Sequence, residues 1–278
     1  MKRHVFRSRN FGILILQGGL GNQLFQISAL SYYSKLLGFT PIVYDYECCL
    51  SIRDDFEAKH RHFDCWKWFN PYDLLITADG LLQLTIRFLY KLARSGRLIK
   101  IYKENDLNLL SRESDLPFLF LIVGSFQDKK FPLSIEKSLR MVPFQTFFSR
   151  AKKIDDPNRI AIHLRLTDLA EYAERQIDWF AEALKSLDAT KGSIIDCYSD
   201  DSVLAQSILE ELKDYCLVYP ELEKRVRSEN LLALLCQYRS LIVSQSSLSW
   251  WACFLASEKD PTFRFSHRWH LNHNFLSE

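Results

Sequence analysis

Short apolar runs, each followed by a stretch with helical spacing, recur along the chain and define its organisation. The runs at 13–16, 160–164 and 240–243 are only four or five residues long. Apolar runs of that length with β-branched residues indicate buried strands, since a buried helix needs about ten residues or more. Regular alternation of such strands with helices predicts an α/β fold, in which parallel strands carry ligands at their carboxyl ends.

The alternation stops at a polar segment, KKIDDPNR (152–159), and then restarts. We therefore predict two α/β domains, over residues 1–150 and 151–278. In the first, the pattern predicts strands at 13–16, 40–45, 98–102 and 117–126 and helices at 22–37, 81–94 and 134–153, with Gly38 ending the first helix. In the second, it predicts strands at 160–164, 194–198, 217–219 and 240–243 and helices at 202–213, 228–238 and from about Ser249 onward.

The composition is that of a globular protein and argues against several function classes. Of 278 residues, 47% are hydrophobic and 25% are charged, and the formal net charge is +2. The sequence has no extended basic stripe, which argues against nucleic acid as a partner. The apolar segment 11–16 is far shorter than the ~20 residues of a membrane-spanning helix or the ~7 of a signal-peptide core, so we expect a cytoplasmic protein. Seven scattered cysteines without a ligand spacing favour reduced thiols.

A glycine-rich turn, QGGLGNQLFQ (17–26), joins the first predicted strand to the first helix. Gly18, Gly19 and Gly21 lack a Cβ, so their backbone can adopt positive φ and approach a ligand closely. The turn is neither G-x-G-x-x-G nor a P-loop, because no Lys-Ser/Thr pair follows it. From the residues alone, glycine required only for the geometry of the turn is an equally good interpretation.

Polar residues also follow two strands of the second domain. His163 and Arg165 point the same way at the end of the 160–164 strand, and a structural ion pair between Arg165 and the nearby Asp168 is the simpler alternative. After the 194–198 strand come Ser199, Asp200 and Asp201, which could bind a ligand or serve only as a helix cap.

A third polar cluster, SQSSLSWW (244–251), follows the 240–243 strand. Its hydroxyl groups lie at a predicted helix start, where free N–H groups and the helix dipole favour an anion. A capped helix followed by buried tryptophans explains the same residues. For Trp250 and Trp251 we favour a place in the core over a platform for a sugar.

Taken in order, these segments resemble the α-1,2-fucosyltransferase family over most of residues 12–270. The segments that carry the resemblance are GGLGNQLFQ (18–26), VGSFQDKKF (123–131), IHLRLTDL (162–169), YSDD (198–201) and SQSSLSWWA (244–252). They are similar to the family patterns G-x-L-G-N-Q-x-F-Q, G-Y-F-Q, H-x-R-x-G-D, S-D-D and S-N-S-x-x-S-W-W. This chain departs from those patterns at Ser125, Leu166, Thr167 and Gln245, and Leu166 stands where many members carry a second Arg.

The resemblance implies a GT-B-like arrangement, with two Rossmann-like domains facing each other across a cleft. It implies that the C-terminal domain binds GDP-fucose and that the N-terminal domain forms the acceptor side. The implied reaction is an inverting transfer of L-fucose to the 2-hydroxyl of a β-galactoside in a surface-glycan or O-antigen type of oligosaccharide. We expect no cofactor and no metal ion. The acceptor in this family is often lipid-linked, and the basic residues near the N-terminus would favour peripheral contact with the inner face of the membrane.

Roles for residues of the second domain follow from the same resemblance. Arg165 is expected to meet the charge that develops on the β-phosphate of the leaving GDP, and Asp168 to orient Arg165. His163 and either Asp200 or Asp201 match family positions that contact guanine. The phosphate oxygens would also be bound at the helix start, by Ser246, Ser247 and Leu248.

In the first domain, the resemblance implies that the glycine-rich turn closes over the sugar and phosphates. The residues expected to bind substrate there are Gly19, Gly21, Asn22 and Gln23. Asn22 is the polar side chain best placed to contact donor or acceptor, and we expect it to take part in catalysis.

Three alternatives remain open. A non-catalytic relative that binds GDP or a glycan is suggested by Leu166, since the missing Arg would remove a phosphate contact. An oxidoreductase would need an acidic residue about 20 residues after the glycines, for which Asp45 is the candidate. A zinc site could use His267, His270 and His273, but at this three-residue spacing a single helix does not bring all three imidazoles to one ion.

Overall fold

The chain folds into two compact units, Met1–Pro143 and Phe144–Glu278, each built on its own five-stranded parallel sheet. The computed structural model describes residues 10–45, 76–77, 85, 88–89, 99–110, 116–135, 148–149, 151, 154, 156, 158–166, 177–220 and 228–267. The predicted α/β class with parallel sheets is therefore confirmed.

The sheet of the first unit has the strand order β3-β2-β1-β5-β4. Its strands are β1 (Phe11–Leu16), β2 (Thr40–Asp45), β3 (Ile76–Thr77), β4 (Lys100–Lys103) and β5 (Leu119–Val123). The helices described in this unit are α1 (Leu20–Leu37), α2 (Glu104–Asn108) and α3 (Lys130–Leu133). Gly38 ends α1 in the left-handed conformation, and its N–H donates to the carbonyl of Ser34.

The sheet of the second unit has the order β10-β9-β6-β7-β8. Its strands are β6 (Ile160–Leu164), β7 (Ile194–Ser199), β8 (Cys216–Val218), β9 (Ser240–Val243) and β10 (Arg264–His267). Its described helices are α4 (Ile177–Ser186), α5 (Ser202–Leu209), α6 (Ser228–Leu235) and α7 (Ser247–Lys259). On one face of β6 and β7, Ile162 and Ile195 belong to a core that also contains Phe180 of α4 and Leu209 of α5.

In both sheets the chain adds strands on one side of a central strand and then crosses to the other side. The reversal falls between β1 and β5 in the first sheet and between β6 and β9 in the second. In the second sheet the connections after β6 and β9 run to opposite sides, which opens a crevice outside the carboxyl ends of these strands, and in the first sheet the loops after β1 and β5 flank the corresponding position. These crevices are the places in each unit where a ligand is expected to bind.

The apolar runs predicted the strands better than the ends of the helices. The strand predicted at 117–126 covers only Leu119–Val123, and the left-handed φ of 53° at Phe126 shows that the extended backbone does not continue to the predicted end. Helix α1 begins at Leu20 and α7 at Ser247, two residues before the predicted starts. The helices predicted at 202–213 and 228–238 end earlier, at Leu209 and Leu235.

Several elements were not predicted. They are β3, α2, α3, α4 and β10. Most of them are five residues or shorter, which leaves too few positions for a recognisable period. Two further helices were predicted, at 81–94 and 134–153, and most of their residues lie outside the described part of the chain.

Candidate functional site

Hydrogen bonds connect the segments at the ends of β6, β7 and β9, which border the crevice of the second sheet. The Ser244 N–H donates to the His163 carbonyl at 3.2 Å, and the Arg165 N–H donates to Ser244 Oγ at 3.2 Å. The Leu166 N–H donates to Asp200 Oδ1 at 2.7 Å. The structure thus brings together residues from the three polar clusters predicted in the second domain.

His163 is held inside this crevice as a neutral imidazole. It is 6% exposed, and its Nδ1 shares a hydrogen bond with Ser249 Oγ of α7. Burial lowers the pKa of His163 to about 4, while the Asp200 carboxylate opposes and the Arg165 guanidinium reinforces this shift. At neutral pH the ring therefore has one N–H donor and one acceptor nitrogen.

The two neighbouring aspartates have different local roles. Asp201 is the N-cap of α5, and its carboxylate accepts the Leu204 N–H at 3.0 Å. Asp200 precedes the helix and binds the backbone at Leu166, a contact that joins β7 to the end of β6. Both residues are exposed. Asp200 is thus tied to the crevice, whereas Asp201 has the helix-capping role that was the structural alternative.

The start of α7 borders the same crevice. The Ser246 side chain makes no capping hydrogen bond, although Ser246 is buried and occupies the N-cap position. Ser247 and Leu248 begin the helix and are half-buried. Gln245 Nε2 is buried and has no hydrogen-bond partner among the described residues. A helix start without a side-chain cap can offer its backbone N–H groups to an anion.

Leu166 faces away from this crevice. Its side chain is 1% exposed and belongs to the core formed with Ile162, Leu164 and Phe180. Position 166 therefore contributes its backbone N–H to the site and its side chain to the core. Trp250 and Trp251 are likewise buried, at 3% and 1% exposure, so the expected place in the core is confirmed.

The glycine-rich turn of the first unit is supported by glutamine side chains. Gly18 has a φ of 76°, and its carbonyl accepts from Gln23 Nε2 at 2.9 Å. The Gln26 carboxamide pairs with both backbone groups of Gln17, each at 3.1 Å. Gln23 is fully buried, so its side chain shapes the turn from within.

Two glycines of the turn differ in their surroundings. Gly19 is the N-cap of α1, and a Cβ added there would meet nothing within 4 Å. Gly21 lies buried in the first turn of the helix. Gly19 therefore exposes backbone at a helix N-terminus, as the interpretation of the turn as a ligand-binding element requires.

The loop after β5 reaches this turn. Gln127 Nε2 donates to Asn22 Oδ1 at 2.7 Å, although the two residues are 105 positions apart in sequence. Because β1 and β5 are neighbouring parallel strands, both loops leave the same edge of the sheet. The structure thus places Asn22 at the crevice of the first sheet and assigns it a partner that sequence analysis did not single out.

Some predicted residues cannot be placed. Asp168 and Thr167 lie outside the described residues, as do His270 and His273. His267 ends strand β10, which pairs with β9. Within the described ranges, no group of three or more His, Cys, Asp or Glu residues could hold a metal ion, and no helix is long and apolar enough to cross a membrane.

Sequence reasoning missed Ser249 and a buried ionic network. Asp196, 1% exposed, is held by the Arg159 guanidinium through two hydrogen bonds and accepts the Tyr238 hydroxyl at 2.6 Å. Tyr238 in turn bonds to Tyr198 at 2.7 Å. An aspartate inside the apolar strand 194–198 was the available signal, because a buried carboxylate requires partners.

Comparison with solved structures gives the fold. A mutant of Arabidopsis thaliana FUT1 in complex with GDP matches with a TM-score of 0.51 at 10% identity, over 89% of this chain and 68% of that chain. POFUT1 in complex with GDP-fucose matches with a TM-score of 0.51 at 12% identity, over 93% and 98%. Fucosyltransferase NodZ from Bradyrhizobium follows with a TM-score of 0.48 at 13% identity, over 89% and 93%. No protein-family model and no curated protein matches the sequence.

At such identities the matches to FUT1 and POFUT1 show a shared fold. The chain has the same α/β fold as these two proteins. This agrees with the fold expected from the motifs in the sequence.

Proposed function

We propose that this protein is an inverting glycosyltransferase that moves L-fucose from GDP-fucose to the 2-hydroxyl of a β-galactoside in an oligosaccharide. The observation that carries the proposal is the convergence of His163, Arg165, Asp200 and the start of α7 at the crevice of the second sheet. A guanidinium and a helix start without a side-chain cap suit a diphosphate, and a carboxylate suits the donor edge of guanine.

In this proposal the second unit binds the donor and the first unit binds the acceptor. Departure of GDP develops negative charge on its β-phosphate, and preorganised hydrogen-bond donors lower the barrier to that step. Arg165 supplies the charged donors, with Asp168 orienting it, and the backbone N–H groups of Ser247 and Leu248 share the load. The acceptor hydroxyl attacks the anomeric carbon from the face opposite GDP, the bond from that carbon to the β-phosphate oxygen breaks, and the hydroxyl proton is released to solvent, so the configuration is inverted.

One observation answers the argument for a non-catalytic relative. The Leu166 side chain packs in the core, so the absence of Arg there does not by itself remove a group from the crevice. The fold shared with a protein solved in complex with GDP-fucose supports binding of this donor. The acceptor, a galactose-terminated oligosaccharide either free or lipid-linked, belongs to the proposal, as does peripheral contact with the membrane.

Transfer from GDP-fucose to a panel of terminal galactosides tests the proposal. We expect GDP release that depends on a β-galactoside, a product substituted at the 2-hydroxyl by NMR, and unchanged turnover in EDTA. Arg165→Ala should lower kcat by about 10²-fold or more, because it removes a charged donor at the leaving group. Arg165→Lys should recover only part of this loss, since an ammonium lacks the guanidinium fork.

A matched control is Arg264→Ala, which removes a surface guanidinium bonded to Asp188 and the Leu187 carbonyl. It should keep wild-type kcat, because exposed ion pairs contribute little to stability and Arg264 has no role in the proposed reaction. Donor-dependent GDP release without a glycoside product would contradict the transfer. A folded Arg165→Ala variant with wild-type turnover would contradict the role of Arg165.

A further inference from the structure

The loop after β5 is built to hold one side chain, Gln127, in place. Phe126, the residue before it, has a left-handed φ of 53° although it is not glycine. Its ring is fully buried, and its N–H donates to Glu104 Oε2 at 2.9 Å. A Cβ at Gly124 would lie 2.9 Å from the Phe126 ring, so glycine makes room for that ring. A backbone conformation this unfavourable persists only where the surroundings hold it, and here it sets the direction of the backbone that carries Gln127.

Gln127 fixes the polarity of the Asn22 carboxamide. Its Nε2 donates to Asn22 Oδ1 at 2.7 Å. A carboxamide has one oxygen that accepts and one NH₂ group that donates, so engaging Oδ1 leaves Nδ2 as the group that Asn22 can present. Nδ2 lies at the glycine-rich turn, because a Cβ on Gly18 would come within 2.9 Å of it.

We infer that Gln127 is a positioning residue that holds Asn22 with Nδ2 directed as a hydrogen-bond donor toward a substrate oxygen. The inference rests on the proposed function, in which Asn22 contacts donor or acceptor. Both substrates offer the same chemistry to Nδ2, namely oxygen acceptors: the phosphate and sugar oxygens of GDP-fucose or the hydroxyls of the galactoside. A carboxamide turned the other way would present Oδ1, which repels a phosphate or ring oxygen, and a hydroxyl would have to turn and donate to it, so the contact that Nδ2 makes is lost in either case.

Two substitutions of the same length separate positioning from a structural role. Ionised Gln127→Glu can only accept, so Asn22 must turn over, donate Nδ2 to the new carboxylate and present Oδ1 to the substrate. Gln127→Met is neutral and has no group that fixes Asn22, so the Asn22 carboxamide can adopt either orientation. If Gln127 only supports the loop, Glu should be the milder change, since it retains a hydrogen bond to Asn22. If Gln127 positions Asn22, Glu should be the more damaging change.

The charge that glutamate adds has its own control. Ser125 lies in the same loop and is exposed, so Ser125→Glu introduces the same charge without touching the Asn22 carboxamide. We expect Ser125→Glu to stay within about threefold of wild-type kcat/KM and Gln127→Met to lose about tenfold. Gln127→Glu should lose about 10²-fold, the typical effect of removing one preorganised donor. Thermal unfolding of each variant establishes that it is folded.

Separate KM values and thermal protection by each substrate identify the oxygen that Nδ2 meets. A rise in KM for GDP-fucose with loss of its protection assigns the donor, and the same changes for the galactoside assign the acceptor. The inference is overturned if folded Gln127→Glu matches or exceeds Gln127→Met, or if Ser125→Glu loses as much as Gln127→Glu. If the wild type transfers no fucose, the proposed function fails. The inference is then decided by protection against thermal unfolding: GDP-fucose or the galactoside should still protect Gln127→Glu less than Gln127→Met. Absence of any such protection would overturn it too.

Discussion

At the scale of single residues, His163 shows how burial sets the chemistry of the crevice. Its ring is enclosed by the sheet and by Ser249 of α7, and the Arg165 charge further disfavours an imidazolium. A neutral ring can offer guanine an N–H or an acceptor nitrogen, but an imidazolium has only donors. Because burial disfavours the protonated ring, the free energy of unfolding depends on pH through His163.

The pH dependence of stability tests this description. The pKa of His163 falls from 6.5 in the unfolded chain to about 4 in the fold. The unfolded chain therefore binds the proton more tightly, so the contribution is complete above pH 6.5 and is lost as the pH falls toward 4. His163→Asn keeps a hydrogen-bonding atom near Nδ1 but cannot titrate. In urea unfolding, the wild type should lose about 3 kcal/mol more than this variant between pH 7 and pH 4.

Taking the difference between the two proteins removes the titration of groups that they share. Parallel pH profiles of the free energy of unfolding would mean that His163 is not buried as a neutral ring. A variant that loses more stability on acidification than the wild type would reverse the sign and contradict the assignment as well.

Sequence predicted which residue types gather at the site but not which atom each residue uses. Asp200 and Asp201 were interchangeable in sequence, because either can cap a helix that begins nearby. The structure distinguishes them, because Asp200 accepts a hydrogen bond from the N–H of Leu166. Leu166 follows another strand and is 34 positions away in sequence. Gln127 stood within a motif from the start, but its contact with Asn22 depends on the pairing of β1 with β5. Contacts between distant segments are what local pattern cannot supply.

At the scale of elements, the β1–α1 turn contains neighbouring glycines with different requirements. Gly18 needs its left-handed φ of 76°, and a Cβ there would also press on Asn22. Gly19 has an ordinary extended conformation, with φ −71° and ψ 172°, and open space around it. Glycine at 18 is thus explained by the fold, whereas glycine at 19 is not. Close approach of a substrate to the backbone would explain it.

Alanine substitutions at the two positions should therefore separate stability from activity. Gly18→Ala should lower the free energy of unfolding by about 1–2 kcal/mol, because alanine is strained at positive φ. Gly19→Ala should leave stability within about 0.5 kcal/mol of the wild type, as is usual for surface positions, yet raise the KM for a substrate. Urea unfolding and steady-state fucosyl transfer measure the two effects. Wild-type kinetics in Gly19→Ala would show that no substrate approaches that backbone, and substrate binding by Gly19 would be withdrawn.

The elements also show where pattern reading succeeds. Strands β6 and β9 lie at the predicted residues, because buried parallel strands are apolar on both faces and give an uninterrupted signal. The end of β5 was missed because Phe126 is apolar like the strand residues before it, although its left-handed φ of 53° does not belong to a strand. Helix α7 begins at Ser247, two residues before the expected Ser249, because Ser246 already occupies the N-cap position.

At the scale of the whole molecule, a ligand that binds only the folded protein raises the temperature of unfolding by mass action. The second crevice would distinguish guanine by a carboxylate that accepts from its N1–H and exocyclic amine, whereas adenine has an acceptor at N1. A carboxylate facing adenine would remain unpaired, which costs more than the loss of one contact. Specificity for the nucleotide is therefore measurable without knowledge of the acceptor.

We expect GDP to protect the protein against thermal unfolding and ADP and UDP at equal concentration to protect it much less. Asp200→Ala should remove the preference for GDP, because Asp200 is the carboxylate tied to the end of β6. Asp201→Ala is the matched control: it removes the cap of α5, at a cost of about 1 kcal/mol, and should lower the unfolding temperature of the ligand-free protein by about 2–4 °C. It should keep the preference for GDP.

Equal protection of the wild type by ADP and GDP would contradict recognition of guanine. Loss of the preference in Asp201→Ala alone would move that role to the capping residue, and a folded Asp200→Ala variant that still prefers GDP would show that other groups read the base.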